Sequence, residues 1–140
     1  MILFDTNVVV DARDSSQVNH SWAARLIEEA VAGEGGGVNA VTLAELCAGS
    51  PKPEDIAPEI QKLGLQILDL PAAASAVCGS AYRRYAAARR ASGGGLAPKI
   101  PLPDFFIGAH AATMKWNLAT RDAERIARYF PKVHLLTPKK

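Results

Sequence analysis

Short apolar runs alternate with helix-like segments along the whole chain, and this alternation restricts the fold more than any other feature. Met1 to Phe4, Val38 to Val41, Leu65 to Leu70, Asn117 to Thr120 and Val133 to Leu136 read as five strands. Between them lie helical stretches, from about Ser21 to Ala32, Thr42 to Cys47, Pro53 to Leu63, Pro71 to Ala91, Asp104 to Lys115 and Ala123 to Tyr129. Strands separated in this way are joined by crossovers, which predicts an α/β fold with a mainly parallel sheet. Met1 to Phe4 is apolar at every position, as in a strand buried on both faces. Ser92 to Pro103, with three consecutive glycines and three prolines, is the clearest loop. The piece after it is too short to stand alone, so residues 1–140 are expected to form a single domain.

Composition narrows the function classes. Hydrophobic residues make up 49% and charged residues 21% of the 140 positions, which excludes a disordered chain. No apolar run reaches the ~20 residues of a membrane span. No basic segment precedes the first apolar run and Asp5 interrupts it, so a cytoplasmic protein without membrane contact is expected. Cys47 and Cys78 lack CxxC spacing and read as small buried hydrophobes. The net charge of +2 hides a split: residues 1–82 carry 4 Lys/Arg against 11 Asp/Glu, residues 83–140 carry 12 against 3. Such a split is a sign of nucleic-acid contact. A solvated basic face docking on the acidic half or on a partner would give the same count.

Four acids hold positions where ligands bind in parallel sheets, beyond the carboxyl ends of strands. Asp5 follows the first strand, Asp104 opens a helix after Pro103, Asp122 lies two residues past Thr120, and Glu45 lies one turn into a helix. Asp104 and Asp122 also suit helix N-caps, and Glu45 a surface position. Asp5 is the hardest to dismiss, because charges are rarely buried unless paired or metal-bound. No Lys or Arg lies within five residues of Asp5 or Glu45, and Arg121 stands beside Asp122 alone. A hard divalent cation, Mg²⁺ or Mn²⁺, answers such a set. Zinc is disfavoured, since His20, His110 and His134 lack ligand spacing.

These residues resemble a known family. Met1-Ile-Leu-Phe-Asp5-Thr-Asn7 is similar to the opening of PIN domains. Thr42-Leu-Ala-Glu45-Leu, Pro101-Leu-Pro-Asp104-Phe-Phe-Ile-Gly-Ala-His110 and Leu118-Ala-Thr120-Arg-Asp122 look like the next three signatures, in the family's order. The whole pattern is most similar to the VapC-type ribonuclease toxins of toxin–antitoxin pairs. The resemblance implies a three-layer α/β/α sandwich with an acidic pocket for Mg²⁺ or Mn²⁺. It implies endoribonuclease activity on an RNA substrate, a homodimer, and inhibition by a cognate VapB-type antitoxin. Carried over by position, it makes Asp5, Glu45, Asp104 and Asp122 the catalytic and metal-binding acids, with Asn7 and Thr120 as polar auxiliaries.

Arg83, Arg84, Arg89 and Arg90 form a dense cluster before the glycine-rich loop. They are candidates for phosphate contact, which positions a nucleic acid without reading it, or for a solvated face or a protein interface. Phe105, Phe106, Trp116 and Met114 read as core. Gly33 to Gly37 follows a helix and has no GK[ST], so it is not a phosphate loop. Two rivals stand: a non-catalytic PIN-like binding module, and an aspartyl-phosphate protein of the haloacid-dehalogenase or receiver kind, with Asn7 weakening the latter's DxD pattern.

Overall fold

A computed structural model of the chain describes residues 1–139. Its five strands, β1 (Ile2–Phe4), β2 (Gly36–Asn39), β3 (Gln66–Leu68), β4 (Asn117–Ala119) and β5 (Leu135–Leu136), form one sheet in the order β3-β2-β1-β4-β5. Every pairing is parallel. Seven α-helices connect them: α1 (Thr6–Arg13), α2 (His20–Ala32), α3 (Ala40–Ala48), α4 (Ile56–Lys62), α5 (Ser75–Ala91), α6 (Pro103–Met114) and α7 (Ala123–Tyr129).

Alternation along the strands divides the core into two layers. Ile2 and Phe4 pack with Val8 and Val9 of α1, Ile27 of α2 and Ile60 of α4 on one face. Leu3 and Leu118 pack with Tyr82 of α5, Phe105 and Ile107 of α6, and Ile126 of α7 on the other. Helices therefore cover both faces, and the architecture is the three-layer α/β/α sandwich with a parallel sheet. Chain order runs outward from β1 to β3, then returns across the sheet to β4. That reversal opens a crevice at the carboxyl ends of β1 and β4, where α/β sheets bind ligands.

Three local expectations are corrected. Residues 6–13, read as neither helix nor strand, form α1, whose N-terminus is capped by Asp5. The second strand starts at Gly36 rather than Val38, with both glycines buried in the sheet. A Cβ on Gly36 would lie 2.8 Å from Phe4 Cε2, so side-chain-free backbone is what lets β2 approach β1 here. Met114, expected in the core, is 42% exposed at the last turn of α6. Phe105 is buried, and Phe106 and Trp116 pack against the same core. Cys47 and Cys78 are both free thiols; Cys78 is buried as expected, but Cys47 is only half-buried, at the edge of the core beside Pro53. No described helix is long and apolar enough to cross a membrane.

Candidate active site

Pairing of Phe4 with Ala119 continues one residue further, as the Asp5 N–H donates to Ala119 O at 2.9 Å. Asp5 is thereby set beside Thr120, 8% exposed. Its Oδ1 accepts from the Thr6 N–H at 2.7 Å. Its Oδ2 accepts from Thr120 Oγ1 at 2.8 Å and Asn7 Nδ2 at 3.2 Å. Burial raises the Asp5 pKa above its usual 3.8, against these hydrogen bonds, and the nearby Glu45 and Asp104 charges add to the rise. Asn7 and Thr120 also fix the chain after β4. Asn7 Oδ1 accepts from the Arg121 N–H at 3.2 Å, and Thr120 Oγ1 accepts from the Asp122 N–H at 3.1 Å.

Glu45 is exposed on α3 and its Oε1 accepts from Thr6 Oγ1 at 2.6 Å. Thr6 Oγ1 also lies 3.2 Å from Thr42 Oγ1. Asp104 follows Pro103 in the first turn of α6, and its Oδ2 accepts from Arg125 Nη1 at 3.2 Å. Desolvation raises its pKa; Arg125 opposes that rise and Asp122 reinforces it. Asp122 is exposed at the entry to α7. All four acids, with Thr6 and Asn7, line one cleft of about 480 Å³, whose remaining wall includes Arg121 and Arg125.

The expectation that these acids lack a basic partner is corrected by Arg125, which pairs with Asp104. Arg121 does not turn to Asp122: its Nε lies 3.0 Å from Oδ2 of the buried Asp11. Neither Asp104 nor Asp122 caps its helix through its side chain. Among the polar side chains that line the cleft, sequence reasoning missed Thr6, which lay inside the first signature, and Arg125. The arginine cluster does not line the cleft. Within it, Arg84 Nη2 donates to Tyr129 O at 3.1 Å and Arg89 Nε to Gly94 O at 3.0 Å, while Arg83 and Arg90 are exposed.

The donor chemistry fits a hard divalent cation: four carboxylates, all-oxygen, two of them held partly against their ionised form by burial and by one another. Among the described residues no three His, Cys, Asp or Glu side chains enclose a common point as they stand. Mg²⁺ bound through one or two carboxylates and several waters needs no such cage.

The chain as a whole is similar to known proteins. The sequence model of the PIN domain matches residues 2–130. No curated protein matches the chain. Among solved structures, VapBC2 from Rickettsia felis bound to a promoter DNA fragment is similar with a TM-score of 0.71 at 22% identity, covering 99% of this chain and 100% of that one. FitAcB from Neisseria gonorrhoeae gives a TM-score of 0.67 at 25% identity, covering 99% and 98%. A toxin–antitoxin complex from Klebsiella pneumoniae gives 0.64 at 21%, covering 100% and 99%.

Proposed function

The chain belongs to the PIN domain family, and from that premise we propose that it is a VapC-type toxin: a metal-dependent endoribonuclease restrained by a cognate antitoxin. The observation that carries this reading is the convergence of Asp5, Glu45, Asp104 and Asp122 from four separate elements on one cleft. Solved relatives in the same fold are toxin–antitoxin complexes, which supports a VapB-type antitoxin as partner. A homodimer is the assembly expected with it.

The cleft acids would hold Mg²⁺ or Mn²⁺. When bound, the ion lowers the pKa of water and offsets charge on the scissile phosphodiester. The chain's own residues set the geometry. Thr120, Asn7 and the Thr6 N–H fix both oxygens of Asp5. Thr6 holds Oε1 of Glu45, which leaves Oε2 to take a proton from the attacking water. Arg83 and Arg90 are the two exposed cluster members without the backbone contacts that tie Arg84 and Arg89, and they are the better placed to hold RNA phosphates.

Incubation of single-stranded RNA with the protein tests the reading. Cleavage should require Mg²⁺ or Mn²⁺, stop with chelator, and leave 5′-phosphate and 3′-hydroxyl ends. Undiminished cleavage in excess EDTA, or a 2′,3′-cyclic phosphate product, would overturn the mechanism. Expression without antitoxin should slow growth.

A further inference from the structure

A second cavity, of about 260 Å³, opens beside the acidic cleft and is lined by Tyr85, Asp122, Glu124, Arg125, Arg128 and Tyr129. Asp122 and Arg125 line both spaces, so the two are continuous neighbours rather than separate features. Both arginines lie on tyrosine rings. The Arg125 guanidinium carbon is 5.1 Å from the Tyr85 ring centre, and that of Arg128 is 5.5 Å from the Tyr129 ring centre. Stacking fixes the guanidinium planes before any ligand arrives and leaves their outer faces and edges free for one.

The two arginines are not equivalent. Arg125 is already paired with Asp104. Arg128 is exposed and enters no ion pair among the described residues. The walls are held from behind: Arg84 donates to Tyr129 O, joining α5 to the end of α7, and Tyr85 packs on Tyr129 and Phe105. Asp122 and Glu124 line the cavity with the two arginines, so it carries no net positive charge. That balance favours a planar group with donors and acceptors, carrying one phosphate, over a bare anion. A base can stack on an arginine–tyrosine pair, and an unpaired arginine can take a phosphate.

The geometry points to this cavity as the subsite for the nucleotide adjoining the scissile phosphate, with that nucleotide's phosphate on Arg128 and its base over the Arg125–Tyr85 stack. The assignment rests on the ribonuclease reading above and places the RNA strand leaving the cleft along α7 rather than across α3.

Arg128→Ala and Arg128→Gln test it, the latter keeping a longer, uncharged polar side chain and good helix propensity should truncation disturb α7. Two measurements are made on a single-stranded RNA oligonucleotide: steady-state cleavage with Mn²⁺, and binding by fluorescence anisotropy in EDTA across a salt series. Both variants should raise KM several-fold with kcat retained, weaken binding to a similar extent, and lower the log–log salt slope by about 0.7, the value of one phosphate contact on a single strand. Arg128→Lys should restore most of that slope. Unchanged KM, binding and slope in both charge-removing variants would overturn the subsite while leaving the ribonuclease intact. Wild-type protein that cuts no RNA would refute the ribonuclease instead. The EDTA arm still decides the subsite then, with equal or absent binding by wild type and variants overturning it.

Discussion

One hydroxyl hydrogen decides the arrangement around Thr6. Its Oγ1 lies 2.6 Å from Glu45 Oε1 and 3.2 Å from Thr42 Oγ1, but it has a single hydrogen to give. A carboxylate is the stronger acceptor, so Thr6 donates to Glu45 and Thr42 donates to Thr6. Thr42 is fully buried. Thr6→Val should therefore cost about 1–3 kcal/mol by leaving the Thr42 hydroxyl unpaired, and should lower cleavage by releasing Glu45, while Thr6→Ser keeps both. Urea unfolding beside an RNA cleavage assay checks this; a valine variant as stable and active as wild type would reject the assignment. Asp104→Asn separates a site residue from a structural one. Its lost ion pair with the partly exposed Arg125 contributes only ~0–1 kcal/mol, and a carboxyl whose pKa is raised by burial is removed. Melting in EDTA should stay within about 1 kcal/mol of wild type, stabilisation by Mn²⁺ should shrink, and cleavage should vanish. Asp5, Asp104 and Asp122 were legible because each follows a strand end or opens a helix, and Glu45 because it lies on the helix that follows β2. Arg125 was not, because it meets Asp104 across 21 residues and only the packing of α7 beside α6 joins them.

Helix α1 shows why some elements escape a reading of pattern. Val8, Val9 and Val10 are β-branched, a run that favours strand over helix. Burial of Val8 and Val9 against the sheet and the cap supplied by Asp5 override that preference. Strand β2 was displaced for the converse reason: Gly36 and Gly37 look like loop, yet they lie buried in register with Ile2 and Leu3. Helix α7, bounded by Asp122 and Phe130, fell where sequence placed it. Two helical glycines give opposite expectations for one substitution. A Cβ on Gly108 of α6 would sit 2.6 Å from Cδ2 and Cε2 of Phe130. Overpacking of that kind costs about 1–3 kcal/mol, which outweighs the ~1 kcal/mol that Ala gains over Gly in a helix. A Cβ on Gly79 of α5 meets nothing within 4 Å. Gly108→Ala should lower the unfolding free energy, and Gly79→Ala should raise it by about 0.5–1 kcal/mol, both read from urea titrations. A rise in both variants would mean that helix propensity, not the Phe130 contact, governs α6, and a fall in Gly79→Ala would reject the propensity gain at α5.

Across the whole molecule, alternation of strands and helices made the parallel sheet readable, whereas the order β3-β2-β1-β4-β5 depends on which strands meet over long separations. Cleft carboxylates and a buried histidine place opposite electrostatic demands on that sheet. Burial raises the pKa values of Asp5 and Asp104 in the cleft above the ordinary 3.8. A carboxylate shifted upward lends stability that is complete below 3.8 and is lost as pH rises through its folded value. His110 works the other way. It is 2% exposed, and its Nδ1 lies 3.2 Å from Asn39 Nδ2, an amide donor, so Nδ1 carries the lone pair and the ring is neutral. Desolvation lowers its pKa from 6.5. A base shifted downward lends stability that is complete above 6.5 and is lost as pH falls through its folded value. Asn39 also caps α3 by accepting from the Val41 and Thr42 N–H groups, so charging His110 strains the helix that carries Glu45. In EDTA, wild-type stability should therefore lose ground to His110 as pH falls below 6.5, while protonation of the cleft acids offsets part of that loss at lower pH. His110→Gln, whose amide oxygen can accept from Asn39, removes only the first effect. Its stability relative to wild type should improve steadily as pH falls from 6.5, whatever its value at neutral pH. Denaturant titrations of both proteins at matched pH values measure that difference, and parallel curves below pH 6.5 would show that His110 is not the group that charges.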